Sequence, residues 1–571
     1  MKIGNIKKPS IEEMETWLSE KFLNKERSEI ILYLSIICYT VIFSIITILR
    51  YYAFKAGAWD LGIFTQSLWT TLNANRFFYH TCEIFLNPSG SFFGVHFSPI
   101  LFLILPLYWL FQTPETLLVL QSFIIALAAF PLYKLAKESV GGRIVGITFV
   151  FVYFLYPAVQ FLNWYDFHVD CLMPVLLLSM FYLFKKEKYV YSFLFFIMAL
   201  MCKENVFLVT VPFGLYGIWM NRYILRELVS QRDLKGVLLN KGLLFSFIII
   251  IVSSFWFPLS MKVISIFKPV GFLFLSLWGP LGSSFTDVIR TVITSPVYAF
   301  QLAFTLHPLN LYYMYLLSRS SAPEILIVAN FLAMPYQKVN YLLTLFGTLG
   351  FMPLADPASL LIAAPWILLC LLSFAPALYS IMTQHTALII PFLFISTIYG
   401  VKRLSKLIEE HSNQLHNLNI KGRKILTKAI NNHLKIILVI LLILSIYFCI
   451  NLSPLNQKPN VTTHDQILDS VVKIIPPYAT VATQNDIFPR FSHNLLAFAF
   501  WPNFEVDYVL VDSTSIWYYL AIPKSIFSGE SPPYSKIVPE LLNSGRYGLY
   551  LSVNGISLLI KNYTGPPLIQ I

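Results

Sequence analysis

The chain has 571 residues, of which 57% are hydrophobic, 16% aromatic and 12% charged, and its formal net charge is +12. Such an apolar composition excludes an ordinary soluble protein and indicates an integral membrane protein. Lys and Arg concentrate in the connections between apolar runs, where positive charge orients membrane spans, so the net charge does not support nucleic-acid binding.

Apolar runs of roughly 15 to 20 residues recur along the chain, about the length that a helix needs to cross a hydrocarbon core. They predict eleven transmembrane helices, near residues 30–49, 116–133, 144–162, 171–184, 189–202, 206–220, 243–260, 339–355, 358–374, 386–400 and 434–451. The first run is expected to be an anchor, because a polar stretch precedes it and it lacks a small-residue cleavage site. An all-α polytopic membrane protein is the predicted fold.

The positions of Lys and Arg predict the orientation of these helices. Basic connections are expected in the cytoplasm, which makes 1–29 a cytoplasmic segment and 30–451 the transmembrane domain, with outer loops at 50–115 and 261–338. The segment 96–112, "HFSPILFLILPLYWLFQ", is apolar but short and contains two prolines. Because counting it as a span would invert every later loop, we predict interfacial helices in the first outer loop.

Residues 452–571 have a mixed pattern that predicts a small soluble α/β domain on the outer face. "HDQILDSVVKII" has a helical pattern, whereas "YATVATQND" and "VDYVLVD" are typical of strands. The Asn-Gly pair in "RYGLYLSVNGISLLIKN" predicts a β-hairpin.

Polar and charged residues gather at the predicted outer ends of the helices. Charged groups near a bilayer are costly, so they tend to line cavities or to have partners. Packing of the helices would bring these loop ends together around one cavity that faces outward. The candidates are Asp60, His96, Asp166, His168, Asp170, Lys203, Glu204, Gln384 and His385, with Arg290 in the second long loop.

Each candidate also has a purely structural interpretation. Asp60 in "AWDLGIFTQSLW" could cap the helix that follows it, and Lys203 and Glu204 could form an ion pair with each other. His96 could cap an interfacial helix, and His385 could be a solvated turn residue.

Two further alternatives remain open. Arg290 could be solvated or contact lipid phosphate. Asp60, Asp166 and His168 could hold a divalent cation, but the spacing in "NWYDFHVD" does not fit a helical ligand pair. No metal site is therefore assigned firmly, and a divalent cation is the one cofactor left open.

An ordered set of blocks resembles an uncharacterised family of prokaryotic multispanning proteins, the domain-of-unknown-function family 2079. The blocks are "AWDLGIFTQSLW", "HFSPILFLILPLYWLF", "LLVLQSFIIALAAFPLYKLAK", "YDFHVDCLMPVLLL", "CKENVFLVTVPFGLY", "HTALIIPFLF" and "PPYATVATQNDIFPRFSHN". The similarity covers about residues 50 to 400 and extends into the soluble tail. The chain departs from the family pattern at "DFHVD", where the second carboxylate is shifted.

That family is similar in layout to the glycosyltransferase-C superfamily, which includes protein O-mannosyltransferases and lipid A aminoarabinose transferases. The resemblance implies a long outer loop with an essential acid near its start and a donor sugar on a polyprenyl phosphate or diphosphate. Asp60 occupies the position of that acid, so the resemblance implies an inverting transferase with Asp60 as its catalytic residue.

Under this hypothesis, the other candidates bind the substrate, and the donor is a polyprenyl-linked sugar. Lys203 would hold the departing phosphate with Glu204 orienting it, and Arg290 is a second choice for that task. Asp166 and His168 would contact sugar hydroxyls, while His96, Gln384 and His385 complete the binding set. The acceptor could be a glycan, a lipid or a protein in the cell envelope.

Two rival functions remain open at this stage. The chain could be a transporter or flippase for a lipid-linked or anionic solute, whose spans are expected to carry charged or broken sites near the midplane. It could also be a noncatalytic envelope assembly protein with the soluble tail as its binding module. The clustering of ionisable groups at outer helix ends favours the enzyme.

Overall fold

The computed structural model describes residues 24–82, 84, 87–268, 273–318, 324–415, 432–502, 504–520, 522–523 and 530–569. Most of the segment expected in the cytoplasm, 1–29, lies outside the described residues. The described chain is helical as far as Leu452, and a mixed sheet with two helices follows.

Helices coincide with most of the predicted apolar runs, but the run 339–355 is interrupted, because the helix Glu324–Gly347 begins before it and ends inside it. The α-helices of the helical part are Lys25–Tyr52, Ile63–Asn73, Leu101–Leu110, Pro114–Leu127, Ala129–Ala136, Arg143–Leu155, Pro157–Trp164, Met173–Lys185, Tyr189–Leu200, Phe207–Met220, Arg222–Ser230, Leu234–Leu239, Lys241–Phe267, Phe285–Thr294, Pro296–Phe304, Pro308–Ser318, Glu324–Gly347, Pro357–Leu360, Ala364–Leu372, Ile390–Leu415 and His433–Leu452. Shorter 3₁₀ or π turns lie at Ala58–Gly62, Phe92–Gly94, Lys137–Gly141, Val169–Leu172, Glu204–Val206, Leu273–Leu281, Met352–Ala355, Gln384–Leu388 and Pro454–Asn456.

Helix length supports a multispanning protein but does not confirm eleven spans. Among the residues that the structure describes, four helical stretches are long and apolar enough to cross a membrane: Lys25–Tyr52, Pro114–Gly141, Lys241–Phe267 and His433–Leu452. The second of these consists of two consecutive helices and the π turn that follows them. A fifth span results if Arg143–Leu155 and Pro157–Trp164 are counted as one, with a bend of 51° between them. Pro157 begins the second of this pair, and the residue before a proline is biased away from helical geometry.

Several other predicted spans are helices that are too short on their own. Met173–Lys185, Tyr189–Leu200 and Phe207–Met220 have 13, 12 and 14 residues. At 1.5 Å per residue they reach roughly 18 to 21 Å, against a hydrocarbon core of about 30 Å. The apolar pattern located these helices, but it did not fix where each one ends.

The first long loop contains the helices Ile63–Asn73 and Leu101–Leu110, and its location on the outer side stays a prediction. Leu101–Leu110 lies within the segment 96–112, with Pro106 inside it. One face is buried through Tyr108, while Trp109 is 63% exposed. A position of this helix at the membrane interface stays a prediction.

The C-terminal part is a small α/β unit, as predicted. Strands β1 (Val481–Thr483), β2 (Ala497–Phe498), β3 (Tyr508–Asp512), β6 (Tyr547–Val553) and β7 (Ile556–Lys561) form one sheet in the order β2-β1-β3-β7-β6, and β4 (Ile522–Pro523) pairs with β5 (Glu530–Ser531). β1 is parallel to β2 and β3, whereas β7 is antiparallel to β3 and β6. The predicted Asn-Gly hairpin joins β6 to β7, because Asn554 and Gly555 adopt the positive φ angles that a tight hairpin turn needs.

Helices complete the C-terminal unit. Thr463–Val472 begins at a capping box, in which the side chains of Thr462 and Asp465 each bind the other's backbone N–H. Tyr534–Asn543 packs on the sheet through Tyr534, whose hydroxyl donates to the Thr483 carbonyl. Short 3₁₀ turns occur at Phe488–Phe491 and Ile516–Tyr518.

Arg490 attaches the C-terminal unit to the helical part. Its guanidinium lies 4.2 Å, 4.6 Å and 4.8 Å from the ring centroids of Tyr51, Tyr52 and Phe54. These rings stand at the end of the first long helix, so the cation–π contacts join the C-terminal unit to the beginning of the first long loop.

Candidate active site

Asp60 lies in a short π turn, Ala58–Gly62, that leads directly into the helix Ile63–Asn73. Gly62 is the N-cap of that helix and no side chain caps it. The sequence-based suggestion that Asp60 caps this helix is therefore wrong. The turn has the wider π-helical geometry, which is frequent at functional sites.

Two distant side chains hold this turn in place. The backbone N–H of Gly57 donates to Oδ2 of Asp166 at 2.5 Å. The N–H of Ala58 donates to Asn485, at 2.8 Å from its carbonyl oxygen and 3.1 Å from its side-chain Oδ1. The backbone that presents Asp60 is thus fixed from the helical part and from the C-terminal unit together.

Asp60 faces a histidine and a tyrosine. Nε2 of His168 lies 3.1 Å from Oδ1 of Asp60, although the ring is not aligned for a hydrogen bond. Tyr165 stacks on the His168 ring at 4.9 Å between centroids, and its hydroxyl lies within the electrostatic influence of the Asp60 carboxylate. The Asp60 charge and burial raise the pKa of the Tyr165 hydroxyl well above its ordinary value, so this hydroxyl remains a hydrogen-bond donor.

Asp166 has structural partners of its own. Its Oδ1 lies 2.5 Å from Nη1 of Arg50, near the end of the first long helix, and Nη1 also donates to the Trp164 carbonyl at 3.3 Å. Burial raises the pKa of Asp166 above its ordinary value, against the opposing effect of Arg50. One oxygen of this carboxylate binds the Arg50 side chain and the other binds the Gly57 N–H, so its main role is to hold these two segments in place.

Lys203 and Glu204 do not pair with each other, contrary to one expectation from the sequence. Lys203 is extended, with φ −163° and ψ 150°, and Glu204 begins a 3₁₀ turn, so their side chains diverge. Nζ of Lys203 lies 3.4 Å from Oδ2 of Asp170. Burial raises the pKa of Asp170, but Lys203 and nearby histidines outweigh it, and the net shift is downward.

Glu204 pairs with His96 instead. Oε1 of Glu204 lies 2.7 Å from Nδ1 of His96, and Oε2 accepts the N–H of Phe97 at 3.3 Å. Burial opposes ionisation of Glu204, but His96 and then Lys203 more than compensate, so the pKa is lowered. His96 therefore joins the first long loop to the turn that carries Glu204.

His385 completes this group from a fifth segment. Burial and the charge of Lys203 lower its pKa to about 3, and Asp170 opposes them, so the ring is neutral at physiological pH. Its carbonyl accepts the Trp366 indole N–H at 2.8 Å. We refer to the assembled side chains as the polar cluster: Asp60, His96, Asp166, His168, Asp170, Lys203, Glu204 and His385.

Two amide side chains adjoin the polar cluster in sequence. Gln384 precedes His385, and Asn205 follows Glu204. Oε1 of Gln384 and Oδ1 of Asn205 are buried and have no hydrogen-bond partner. Buried polar atoms are normally satisfied, so both oxygens are available acceptors.

The geometry does not fit a metal site at Asp60, Asp166 and His168. Within the described ranges, no group of three or more His, Cys, Asp and Glu side chains is arranged to hold a metal ion. Asp166 instead bonds to Arg50 and Gly57.

Arg290 is the candidate that the structure leaves apart. It lies exposed on the helix Phe285–Thr294, where Asp287 is the acidic neighbour whose pKa it helps to lower. No contact that the structure describes joins Arg290 to the polar cluster.

Three residues around Asp60 were not among the candidates from the sequence: Arg50, Tyr165 and Asn485. The sequence offers a signal for Arg50, because an arginine at the end of an apolar run is expected to have a charged or polar partner. It offers no signal for Asn485, because 427 residues separate this residue from Ala58.

A protein family and a solved structure resemble this chain. A family model described as "Predicted membrane protein (DUF2079)" matches residues 50–323 and 315–558. None of the curated proteins compared with the chain matches it. Among solved structures, the chain is similar to the crystal structure of ArnT from Cupriavidus metallidurans in the apo state, with 10% sequence identity and a TM-score of 0.43, over 92% of this chain and 98% of that chain.

Proposed function

The chain belongs to the DUF2079 family of predicted membrane proteins, and we propose that it is an inverting membrane glycosyltransferase. In this proposal it moves a sugar from a polyprenyl-phosphate-type donor to an acceptor on the outer face of the membrane. The observation that carries the proposal is the fixed Asp60 turn beside His168 and Tyr165 within the polar cluster.

Asp60 is the most accessible carboxylate of the polar cluster, and we therefore assign it as the reacting group. Its side chain is 20% exposed, whereas those of Asp166, Asp170 and Glu204 are 8%, 5% and 4% exposed. A general base must reach the proton that it removes. Asp60 combines that access with a backbone held from two sides.

The proposed step is a single displacement at the anomeric carbon. Asp60 takes the proton from an acceptor hydroxyl, and that oxygen forms a bond to the sugar carbon. The bond between this carbon and the phosphate oxygen breaks, and the lipid phosphate leaves with the electron pair. Nε2 of His168 lies 3.1 Å from Oδ1 of Asp60 and borders the base during this step.

The remaining residues are assigned binding or positioning roles in this proposal. Asp166 positions the Asp60 turn, and the pairs Lys203 with Asp170 and His96 with Glu204 surround the site. Gln384, with its unpartnered oxygen, accepts hydrogen bonds from sugar hydroxyls, and neutral His385 lies beside it.

The four acidic side chains of the polar cluster outnumber its one lysine. Pairing of Lys203 with Asp170 also leaves little free positive charge there. We therefore assign sugar and acceptor hydroxyls, and not the lipid phosphate, to the immediate surroundings of Asp60. Arg290 has no role in this proposal.

The test is transfer of radiolabelled sugar from a polyprenyl phosphate by the purified full-length protein. Asp60→Asn keeps the shape of the side chain and removes the base, so transfer should fall by about a hundredfold or more. Glu540→Gln, at an exposed carboxylate in the C-terminal unit, should retain full activity and serves as the matched control.

Full activity of Asp60→Asn would reject Asp60 as the base. Absence of transfer from any polyprenyl donor, together with movement of labelled lipid between leaflets of proteoliposomes, would support the transporter or flippase. If neither activity is found and the C-terminal unit binds another envelope component, the noncatalytic assembly protein is the better interpretation.

A further inference from the structure

Two tryptophans meet where the C-terminal unit contacts the turn of Asp60. Trp59 directly precedes Asp60, and Trp517 lies in the 3₁₀ turn Ile516–Tyr518. Their ring centroids are 5.5 Å apart with the ring planes at 80°, which is an edge-to-face contact. Both residues are half-buried, so each keeps part of its surface exposed.

Two consecutive residues of the C-terminal unit hold the turns that carry these rings. Asn485 accepts the Ala58 N–H and so holds the first turn. Asp486 accepts the Ser515 hydroxyl at 2.5 Å, and Oγ of Ser515 accepts the Trp517 N–H at 3.3 Å. One short segment therefore positions both rings beside the polar cluster.

This segment lies at the edge of the sheet where open α/β sheets bind ligands. The order β2-β1-β3, with all three strands parallel, brings the carboxyl ends of β1 and β3 together. Asn485 and Asp486 follow β1, and Ser515 follows β3. Ligands of such sheets bind in the crevice outside these ends, where the strand order reverses. Trp517 thus lies at the expected ligand-binding edge of the C-terminal unit.

Exposed side chains continue from the tryptophan pair along the C-terminal unit. Ile516 and Tyr519 are 64% and 57% exposed, and Thr514 adds an exposed hydroxyl at the same edge. Clustered exposed apolar side chains mark a surface that binds another molecule. We refer to Trp59, Trp517 and Tyr519 as the aromatic edge.

We propose that the aromatic edge binds a saccharide unit of the acceptor, with Trp517 as a specificity-determining residue. A sugar ring has C–H groups on its faces, which pack on aromatic rings. It also has hydroxyls around its rim, which bond to side chains such as Thr514. The inference rests on the proposed function and deepens it, because it names the acceptor as a carbohydrate.

The position of the aromatic edge relative to Asp60 assigns it to the acceptor. In the proposed step Asp60 takes a proton from the acceptor hydroxyl, so the acceptor lies against this turn. Trp59 contacts Trp517 on the side of the C-terminal unit, whereas His168 and Tyr165 belong to the helical part. The acceptor therefore continues from Asp60 toward the C-terminal unit, and the lipid-linked donor approaches from the helical part.

Saturation-transfer NMR of the purified full-length protein tests the site. The probes are oligosaccharides of glucose, mannose, galactose and N-acetylglucosamine, together with a serine-containing peptide. At least one oligosaccharide should bind through its ring C–H groups. Trp517→Leu should weaken this binding about tenfold, and Trp517→Phe, which keeps an aromatic face, should weaken it less. The matched control is Tyr478→Leu, at an aromatic residue that is 84% exposed and precedes β1, and it should bind as the wild type does.

Transfer kinetics separate recognition from a structural role of Trp517. With the bound oligosaccharide as acceptor and a polyprenyl-phosphate sugar as donor, Trp517→Leu should raise the KM for the acceptor about tenfold. The kcat and the KM for the donor should stay unchanged. A lower Tm and kcat with an unchanged KM for the acceptor would show that Trp517 is only structural.

Equal binding of the oligosaccharide by Trp517→Leu and the wild type would overturn the proposal, as would the absence of binding by every oligosaccharide. Binding of the peptide alone would indicate a protein acceptor and would also reject it. Asp60→Asn should bind the oligosaccharide normally. Trp517-dependent saccharide binding without any transfer by the wild type would therefore reject the transferase and leave this site standing.

Discussion

Oδ1 of Asp166 lies 2.5 Å from Nη1 of Arg50, and this ion pair joins the end of the first long helix to the loop that follows Trp164. The second oxygen of the same carboxylate accepts the Gly57 N–H. One buried acid thus connects the helix that precedes Asp60, the turn that presents it and the loop that carries His168.

Breaking this ion pair should destabilise the protein strongly. Asp166→Ala leaves Arg50 without its partner and removes the Gly57 acceptor, and we expect a loss of about 2 to 4 kcal/mol. Asp166→Asn keeps an acceptor for Gly57 and should lose less. Thermal unfolding compares both variants with Glu138→Gln, whose pair with Lys186 is about half exposed and contributes little. An equal loss in Glu138→Gln would show that Asp166 has no special structural role.

Asp486 should make stability depend on pH. Burial raises the pKa of its carboxyl to about 6, with Ser515 opposing this by donating a hydrogen bond to Oδ2. Between about pH 4 and pH 6 the folded state holds a proton that the unfolded state has lost, so wild-type stability falls as the pH rises. In Asp486→Asn this fall should disappear, which favours the variant by up to about 3 kcal/mol above pH 6.

The measurement is the Tm of wild type and Asp486→Asn between pH 3 and pH 7. Asp507 gives a control of opposite sign, because hydrogen bonds from Thr480 lower its pKa. Asp507 contributes to stability above its unfolded pKa of about 4, and this contribution is lost as the pH falls below that value. A difference between wild type and Asp486→Asn that stays constant over this range would contradict the prediction.

Arg490 should control how firmly the C-terminal unit holds the Asp60 turn. Arg490→Met removes the cation–π contacts to Tyr51, Tyr52 and Phe54, and we expect local opening to become about tenfold easier. Hydrogen exchange of the peptide that contains the Ala58 amide reports this opening. Arg546→Met, at an exposed residue that pairs with Glu505 in the same unit, should leave that exchange rate unchanged.

If the Ala58 peptide keeps its protection from exchange in Arg490→Met, Arg490 does not contribute to the docking of the C-terminal unit. Faster exchange confined to the C-terminal unit would lead to the same conclusion. Protection lost in both regions would support a single docked arrangement.

A side chain at position 62 should clash with Phe488 and destabilise the protein. The backbone of Gly62 is right-handed helical, with φ −61° and ψ −46°, so alanine alone would favour the turn by about 1 kcal/mol. A Cβ atom, however, would lie 2.8 Å from Cδ1 of Phe488. Gly62→Ala should therefore lose about 1 to 3 kcal/mol of stability.

A double-mutant cycle distinguishes this clash from a general effect on the turn. In the Phe488→Ala background the space opens, and Gly62→Ala should become neutral or stabilising. Thermal unfolding of the four proteins gives the coupling. Equal costs of Gly62→Ala in both backgrounds would contradict the packing argument.

Local patterns in the sequence determined the class of the protein and the positions of its helices. Apolar runs of fixed length predicted helices, alternation and an Asn-Gly pair predicted the strands and hairpin of the C-terminal unit, and polar loop ends predicted the residues of the polar cluster. Such patterns are readable because helix and strand periodicities are properties of neighbouring residues.

Only the tertiary structure decided which groups are partners. Lys203 and Glu204 are adjacent in sequence, yet one pairs with Asp170 and the other with His96. The turn of Asp60 depends on Asn485, which lies more than four hundred residues away. Contacts between such distant residues leave no periodicity or spacing in the chain, because they arise from the packing of complete elements against one another.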